Sequence, residues 1–225
     1  MKDSKSFTII EKIWGKIRDV LVPVLAPLRR RKLKERDFTI ISNNCWGGIC
    51  YEYYGLQKLS PTVGLYFFSE DYIKFVSDLK RYINTEMKII SIEQSKHKKT
   101  LVDKGEQDVP IGVIDDVEVI FLHYRDPQIA LEKWNRRCKR INWNNLVFKF
   151  SYMNECNDDY IRTFEKMNFD KSVVLSHKAF NEYSNVVVVS SHLDNEIDND
   201  TFYWNKFFDT TSFLNGEGIK LKAIS

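Results

Sequence analysis

From residue 38 to residue 189 the chain alternates short apolar runs with segments whose apolar residues recur every three or four positions. Leu146 to Phe150, Ser172 to Leu175 and Val186 to Val189 are apolar almost throughout, the pattern of strands buried on both faces. Helix start signals lie between such runs: Asp126 followed by Pro127, and Asn157 ahead of Asp158-Asp159. This succession predicts an α/β fold of three layers, a mostly parallel sheet with helices on both faces. Pro110 to Ile114 and Val117 to Leu122 bracket Asp115-Asp116 like a hairpin, so some antiparallel pairing is expected near 110–122. Further strands are expected at 38–42, Thr62 to Phe68 and Met87 to Ile92, a short helix continuing from the glycine turn over Tyr51 to Leu59, and an amphipathic segment over Thr201 to Leu214. Residues 93–109 are polar and lysine-rich with no period; they read as a long loop and candidate lid, with His97 solvated.

The 225 residues fit a segment at 1–36 followed by a single α/β domain at 37–225. Ile9, Ile10, Ile13, Trp14, Ile17, Val20 and Leu21 fall at helical spacing, Pro23 and Pro27 interrupt, and a basic run from Arg29 to Arg36 comes next. Two readings lead: residues 7–36 meet an anionic membrane surface, or the helix packs on its own domain with a solvated charge run behind it; nucleic-acid or partner binding is the lesser third. At 43% hydrophobic and 14% aromatic the chain is a folded globule, and a net charge of +3 is too small to imply a dedicated nucleic-acid binder, so none is expected. No apolar run approaches the ~20 residues needed to span a bilayer. No secretory signal is visible, and Cys45, Cys50, Cys138 and Cys156 do not form a disulfide framework. The expected location is the cytoplasm, peripheral to the inner membrane face, with reduced thiols.

Ligands of α/β sheets bind outside the carboxyl ends of the strands. The residues just past each expected strand are therefore informative: Asn43, Asn44 and Cys45; His123, Tyr124 and Arg125; Ser151 and Tyr152; Ser176 and His177; His192. Three of the four histidines thus sit just past a strand end, which makes His123, His177 and His192 candidates for general acid or base work. Cys45, at a strand-to-helix turn, is a candidate nucleophile with His123 as its base, or else a small buried thiol. Gly47-Gly48 indicates close backbone approach, to a phosphate or to a neighbouring element, but matches neither a Walker loop nor a dinucleotide fingerprint. Arg125, Arg136, Arg137, Arg140 and Lys149 offer cations for an anionic donor, and Trp46, Tyr124 and Trp134 flat faces for a sugar ring, or else core. Asp198-Asn199-Asp200 has a D-x-D form suited to a hard cation, yet also reads as an acidic surface loop, so no metal site is assigned.

Ile41-Ser42-Asn43-Asn44-Cys45-Trp46-Gly47-Gly48, together with His123-Tyr124-Arg125 and Trp134 to Arg140, resembles a bacterial family commonly labelled exopolysaccharide or capsule biosynthesis proteins. The likeness covers residues 36–190. It implies an α/β fold and a surface-polysaccharide context, and brings no established catalytic residues or cofactor. The leading expectation is a glycosyl- or acyl-transferase. His123 would be the base for an acceptor hydroxyl, and Arg125 with the Asn43–Gly48 turn would hold a sugar-nucleotide or acyl donor. Its rivals are a non-catalytic glycan-binding or scaffolding module and a cysteine-nucleophile hydrolase.

Overall fold

The structure, a computed structural model, describes residues 22–189, 195–197, 200–201 and 205–222. Two sheets organise it. The first is parallel throughout, in the order β1 (Thr39–Ser42), β5 (Leu146–Ser151), β6 (Ser172–Ser176), β7 (Val186–Val188). The second is antiparallel, with β2 (Lys88–Ile90), β3 (Ile111–Ile114) and β4 (Val117–Ile120) in sequence order. Asp115, at φ 57°, makes the tight turn of the expected hairpin.

Alternation along β5 sets the layers. Phe148 and Phe150 point to one face, where Phe150 stacks on Tyr72 of α3 (Ser69–Ser77) and meets Phe164 of α7 (Asp158–Lys166). Ile40 and Ser42 point to the other face, against α2 (Trp46–Tyr54). Trp46 of α2 stacks on Phe208, which meets Phe213 of α8 (Thr210–Leu214) edge-on. Behind α3, α6 (Pro127–Cys138) packs Trp134 on Phe75. The caps are those written in the sequence: Asp126 accepts from the Gln128 and Ile129 amides, and Asn157 from that of Tyr160.

Four expectations change. Residues 62–68 are not a strand: Gly64 turns at φ 82° and only Tyr66 bridges to Ile120, while the Phe67 amide donates to the Asn43 carbonyl. The run is apolar because it is the seam between the two sheets. Residues 93–109 are no lid either, but a 3-10 turn (Ile92–Gln94) and a helix, α5 (Lys98–Lys104). Their lysine-rich surface hides one buried anchor at His97. Helix α2 starts at Trp46 and ends at Tyr54, where Gly55 turns left-handed at φ 61°. Of the amphipathic segment expected over Thr201 to Leu214, α8 takes Thr210–Leu214.

Residues 22–30 form helix α1, joined to the domain rather than hanging from it. Ala26 and Leu33 are buried, Arg29 lies 4.0 Å over the Tyr53 ring, and Arg30 donates to the Gly55 carbonyl at 2.6 Å. α4 (Leu79–Asn84) comes directly after α3, and Tyr82 from it bonds Asp116 at 2.8 Å. The expected amphipathic run at 7–21 lies outside the described residues.

Candidate functional site

The carboxyl ends of β1 and β5 hold a buried polar cluster. Asn43 prolongs the β1–β5 ladder with its side chain: the amide donates to the Ser151 carbonyl and accepts from the Ser151 amide, both at 3.0 Å. That leaves the next residue, Asn44, aimed into the layer between sheet and α2. Its Oδ1 accepts from the Trp46 amide at 3.1 Å and from the Lys149 ammonium at 2.9 Å. Its Nδ2 donates to Asp200 at 2.8 Å. Asp200 also accepts from Lys149 and from the Ser151 hydroxyl. The Lys149 and Asp200 side chains have no exposure to solvent. The parallel sheet advances in one direction with no reversal of order, so no switch-point crevice opens among its described strands. Instead the chain near Ile197 and Asp200 crosses the rim, its Ile197 amide bonding the Tyr152 carbonyl at 2.8 Å.

Burial works against both charges, and the pair answers unequally. It would raise the Asp200 pKa, but Lys149, Ser151 and Asn44 together hold that carboxyl below its usual 3.8. Lys149 is pulled below 10.5, because burial outweighs the attraction of Asp200. An ionised Asp200 facing an unusually acidic ammonium is the state that the donors around the carboxylate favour.

Beside this cluster Cys45 is half-buried and gives its thiol hydrogen to the Leu65 carbonyl at 3.7 Å. Burial, and then the Asp200 charge, push its pKa up to about 11. It is a neutral thiol at neutral pH, with no imidazole among its described partners, the opposite of an activated nucleophile.

Outside the cluster, His177 directly follows the last residue of β6. The imidazole meets the Tyr152 ring edge-on at 4.6 Å, and its buried Nδ1 has no hydrogen-bond partner among the described residues. Burial, and then the neighbouring Lys178 charge, lower its pKa below 6.5. Lys178 pairs with Asp158 at 2.6 Å, and Asp158 accepts from the Tyr152 hydroxyl at 2.8 Å.

The other sequence candidates are placed elsewhere. Trp46 is fully buried with Phe208 on its face, so it is core and offers nothing to a sugar; Trp134 is core too. Gly47 and Gly48 let α2 close on its neighbours: an added Cβ would lie 2.9 Å from Ile40 Cγ2 and 3.1 Å from Val63 Cγ1 respectively. The close approach is to neighbouring side chains, with no phosphate needed to explain it. Lys149 is bound to Asp200 and is closed to an anionic donor. His123 and Arg125 are exposed in the turn after β4, on the second sheet, the former anchored by its amide to the Gly64 carbonyl. Tyr124 covers Gly64 and accepts from buried Arg137 at 2.7 Å. His192 lies outside the described residues.

Two buried groups escaped the sequence reading. Asp200, taken for part of a surface loop, is the carboxylate of the cluster. His97, taken for solvated, stacks on Phe68 at 3.7 Å and bonds Asp71 at 2.6 Å, an anchor that Lys96 and the Glu118 amide share. A lysine inside the apolar run Val147-Phe148-Lys149-Phe150 was the available signal that a buried counter-charge must exist. No group of three or more metal-ligating side chains occurs among the described residues.

A family model described as "Domain of unknown function (DUF1919)" matches residues 17–215. The chain belongs to the DUF1919 family. The DUF1919 match begins inside the N-terminal segment and ends past α8, wider on both sides than the 36–190 of the resemblance. It encloses Asn44, Lys149, Ser151, His177 and Asp200. An "Uncharacterized protein" of Haemophilus influenzae is 24% identical over 190 residues, which cover 82% of this chain and 86% of the relative. Neither description names a pathway or reaction, so the exopolysaccharide label stays with the resemblance alone.

Proposed function

We propose that this DUF1919 protein is a transferase of surface-polysaccharide assembly, moving a glycosyl or acyl group onto a hydroxyl at the carboxyl rim of the parallel sheet. The observation that carries the transfer chemistry is His177: an imidazole at a strand end, kept neutral by burial, with a buried Nδ1 unpartnered among the described residues. An unsatisfied buried polar atom costs about 1–3 kcal/mol, which a substrate hydroxyl would recover. His177 takes the acceptor proton as the acceptor oxygen bonds to the donor carbon, and the leaving group departs with its electron pair. Lys178 lies beside it, 43% exposed, and would have to exchange its Asp158 partner to meet an anionic leaving group. The polysaccharide context rests on the Asn43–Gly48 and His123–Arg125 resemblance.

Thermal shift with sugar nucleotides and acyl-CoA tests this directly. A donor raises the melting temperature, and His177→Ala keeps that shift while abolishing turnover. Because the His177 pKa is depressed, the base form persists to below pH 6.5, and activity falls only beneath that value. Turnover by His177→Ala with an unchanged acid limb sinks the assignment, as does the absence of any donor that binds.

The reading includes a membrane surface for the acceptor. Val24 and Leu28 are exposed four residues apart on α1, next to Arg31 and Lys32. No helix among the described residues is long and apolar enough to cross a membrane.

A further inference from the structure

The opposite end of the parallel sheet carries a groove of about 890 Å³, at the amino ends of β1, β5 and β6. It lies away from the rim, and the transfer reading makes no use of it. Its floor is apolar: Leu146, and Phe148 stacked on Phe169 at 3.7 Å between centroids. From its wall Trp143 presents an indole that is 37% exposed, unlike the sealed Trp46 and Trp134. A partly exposed indole beside a groove is a platform for a ring with C–H bonds on one side.

The rim of the groove is polar and built in advance. Asn142 is held by the Asp37 carbonyl and carboxylate at 2.9 and 3.0 Å, which sets the turn that carries Trp143. Asn145 is clamped between Glu35 at 2.5 Å and Lys171 at 3.0 Å. Asn144 and Asp170, by contrast, make no side-chain hydrogen bond among the described residues, and both line the groove. An amide and a carboxylate flanking an aromatic platform offer one donor pair and several acceptors to a row of hydroxyls.

Charge narrows the ligand further. Glu35, Asp37, Asp78 and Asp170 line the groove against Lys80 and Lys171. Its net charge is therefore negative, which repels phosphates, nucleotides and uronic acids. Lys80 already sits 5.8 Å from the Trp143 ring centroid.

We infer that this groove is a binding site for an uncharged saccharide, one sugar ring stacking on Trp143 while Asn144 and Asp170 take its hydroxyls. The groove alone supports this, independently of transfer at the rim.

Titrating the full chain calorimetrically with neutral oligosaccharides of glucose, galactose, mannose and N-acetylglucosamine tests it. At least one set binds, and Trp143→Ala weakens it ten-fold or more, while Trp143→Tyr keeps most of the affinity. Asn144→Ala, at an exposed position, gives an independent loss. His177→Ala leaves saccharide binding unchanged, which separates this site from the rim. Failure of every neutral saccharide to bind overturns the inference, and so does binding that ignores Trp143 and Asn144. A uronic-acid oligomer or an oligolysine peptide binding more tightly than any neutral sugar overturns the ligand class.

Discussion

Lys149 and Asp200 are a pair whose removal one side at a time and both sides together give different answers. Taking away Asp200 leaves an ammonium with no solvent exposure and no counter-charge, and such losses cost about 3–5 kcal/mol. Asp200→Ala is thus expected to lower the urea midpoint strongly, and Lys149→Met added to it to restore part of the loss. Strictly additive effects in that cycle would refute the coupling. The pH response comes from the depressed carboxyl. Its stabilisation is complete above the ordinary 3.8 and is lost as the pH falls through the lower folded value, a loss Asp200→Ala does not show. At this scale the sequence was readable in part. Asn44 and His177 stood out because they come just after strands, whereas Asp200 lay hidden because its partners are 156 positions away at Asn44 and 51 at Lys149.

The glycines of α2 show how a helix and a strand come together. A methyl group at position 47 would sit 2.9 Å from Ile40 Cγ2, below any normal carbon contact. Gly47→Ala should therefore destabilise by about 1–3 kcal/mol through overpacking, despite the better helix propensity of alanine. Equal or greater stability of Gly47→Ala in urea would show that the contact relaxes freely. Elements with local signals were legible: the Asp126 and Asn157 caps, and the hairpin around Asp115. Residues 62–68 and 93–109 were not. An apolar run looks the same as a strand whether or not it finds a ladder, and one buried imidazole does not alter a lysine-rich pattern.

For the molecule as a whole, the basic N-terminal segment and the parallel sheet are one body, since α1 is fixed by Arg30 and Ala26. A membrane contact through α1 would then orient the entire domain. Charging the exposed stripe tests this without touching the buried side: Val24→Asp with Leu28→Asp should abolish sedimentation with phosphatidylserine vesicles and leave thermal stability unchanged. Equal sedimentation of variant and parent rules out this face. The layered α/β design was legible from periodicity, because two-sided burial writes itself into composition. The separation of the antiparallel strands into a second sheet was not, since no local signal states which strand pairs with which.

Asp200 reaches its partners from beyond the last strand of the sheet. A chain emerging from a ribosome would assemble β1, β5 and β6 while Lys149 still lacked its counter-ion. Polypeptides cut short of Asp200 would leave the Lys149 ammonium without its counter-charge, so they are expected to hold shape poorly and to be ready prey for proteases.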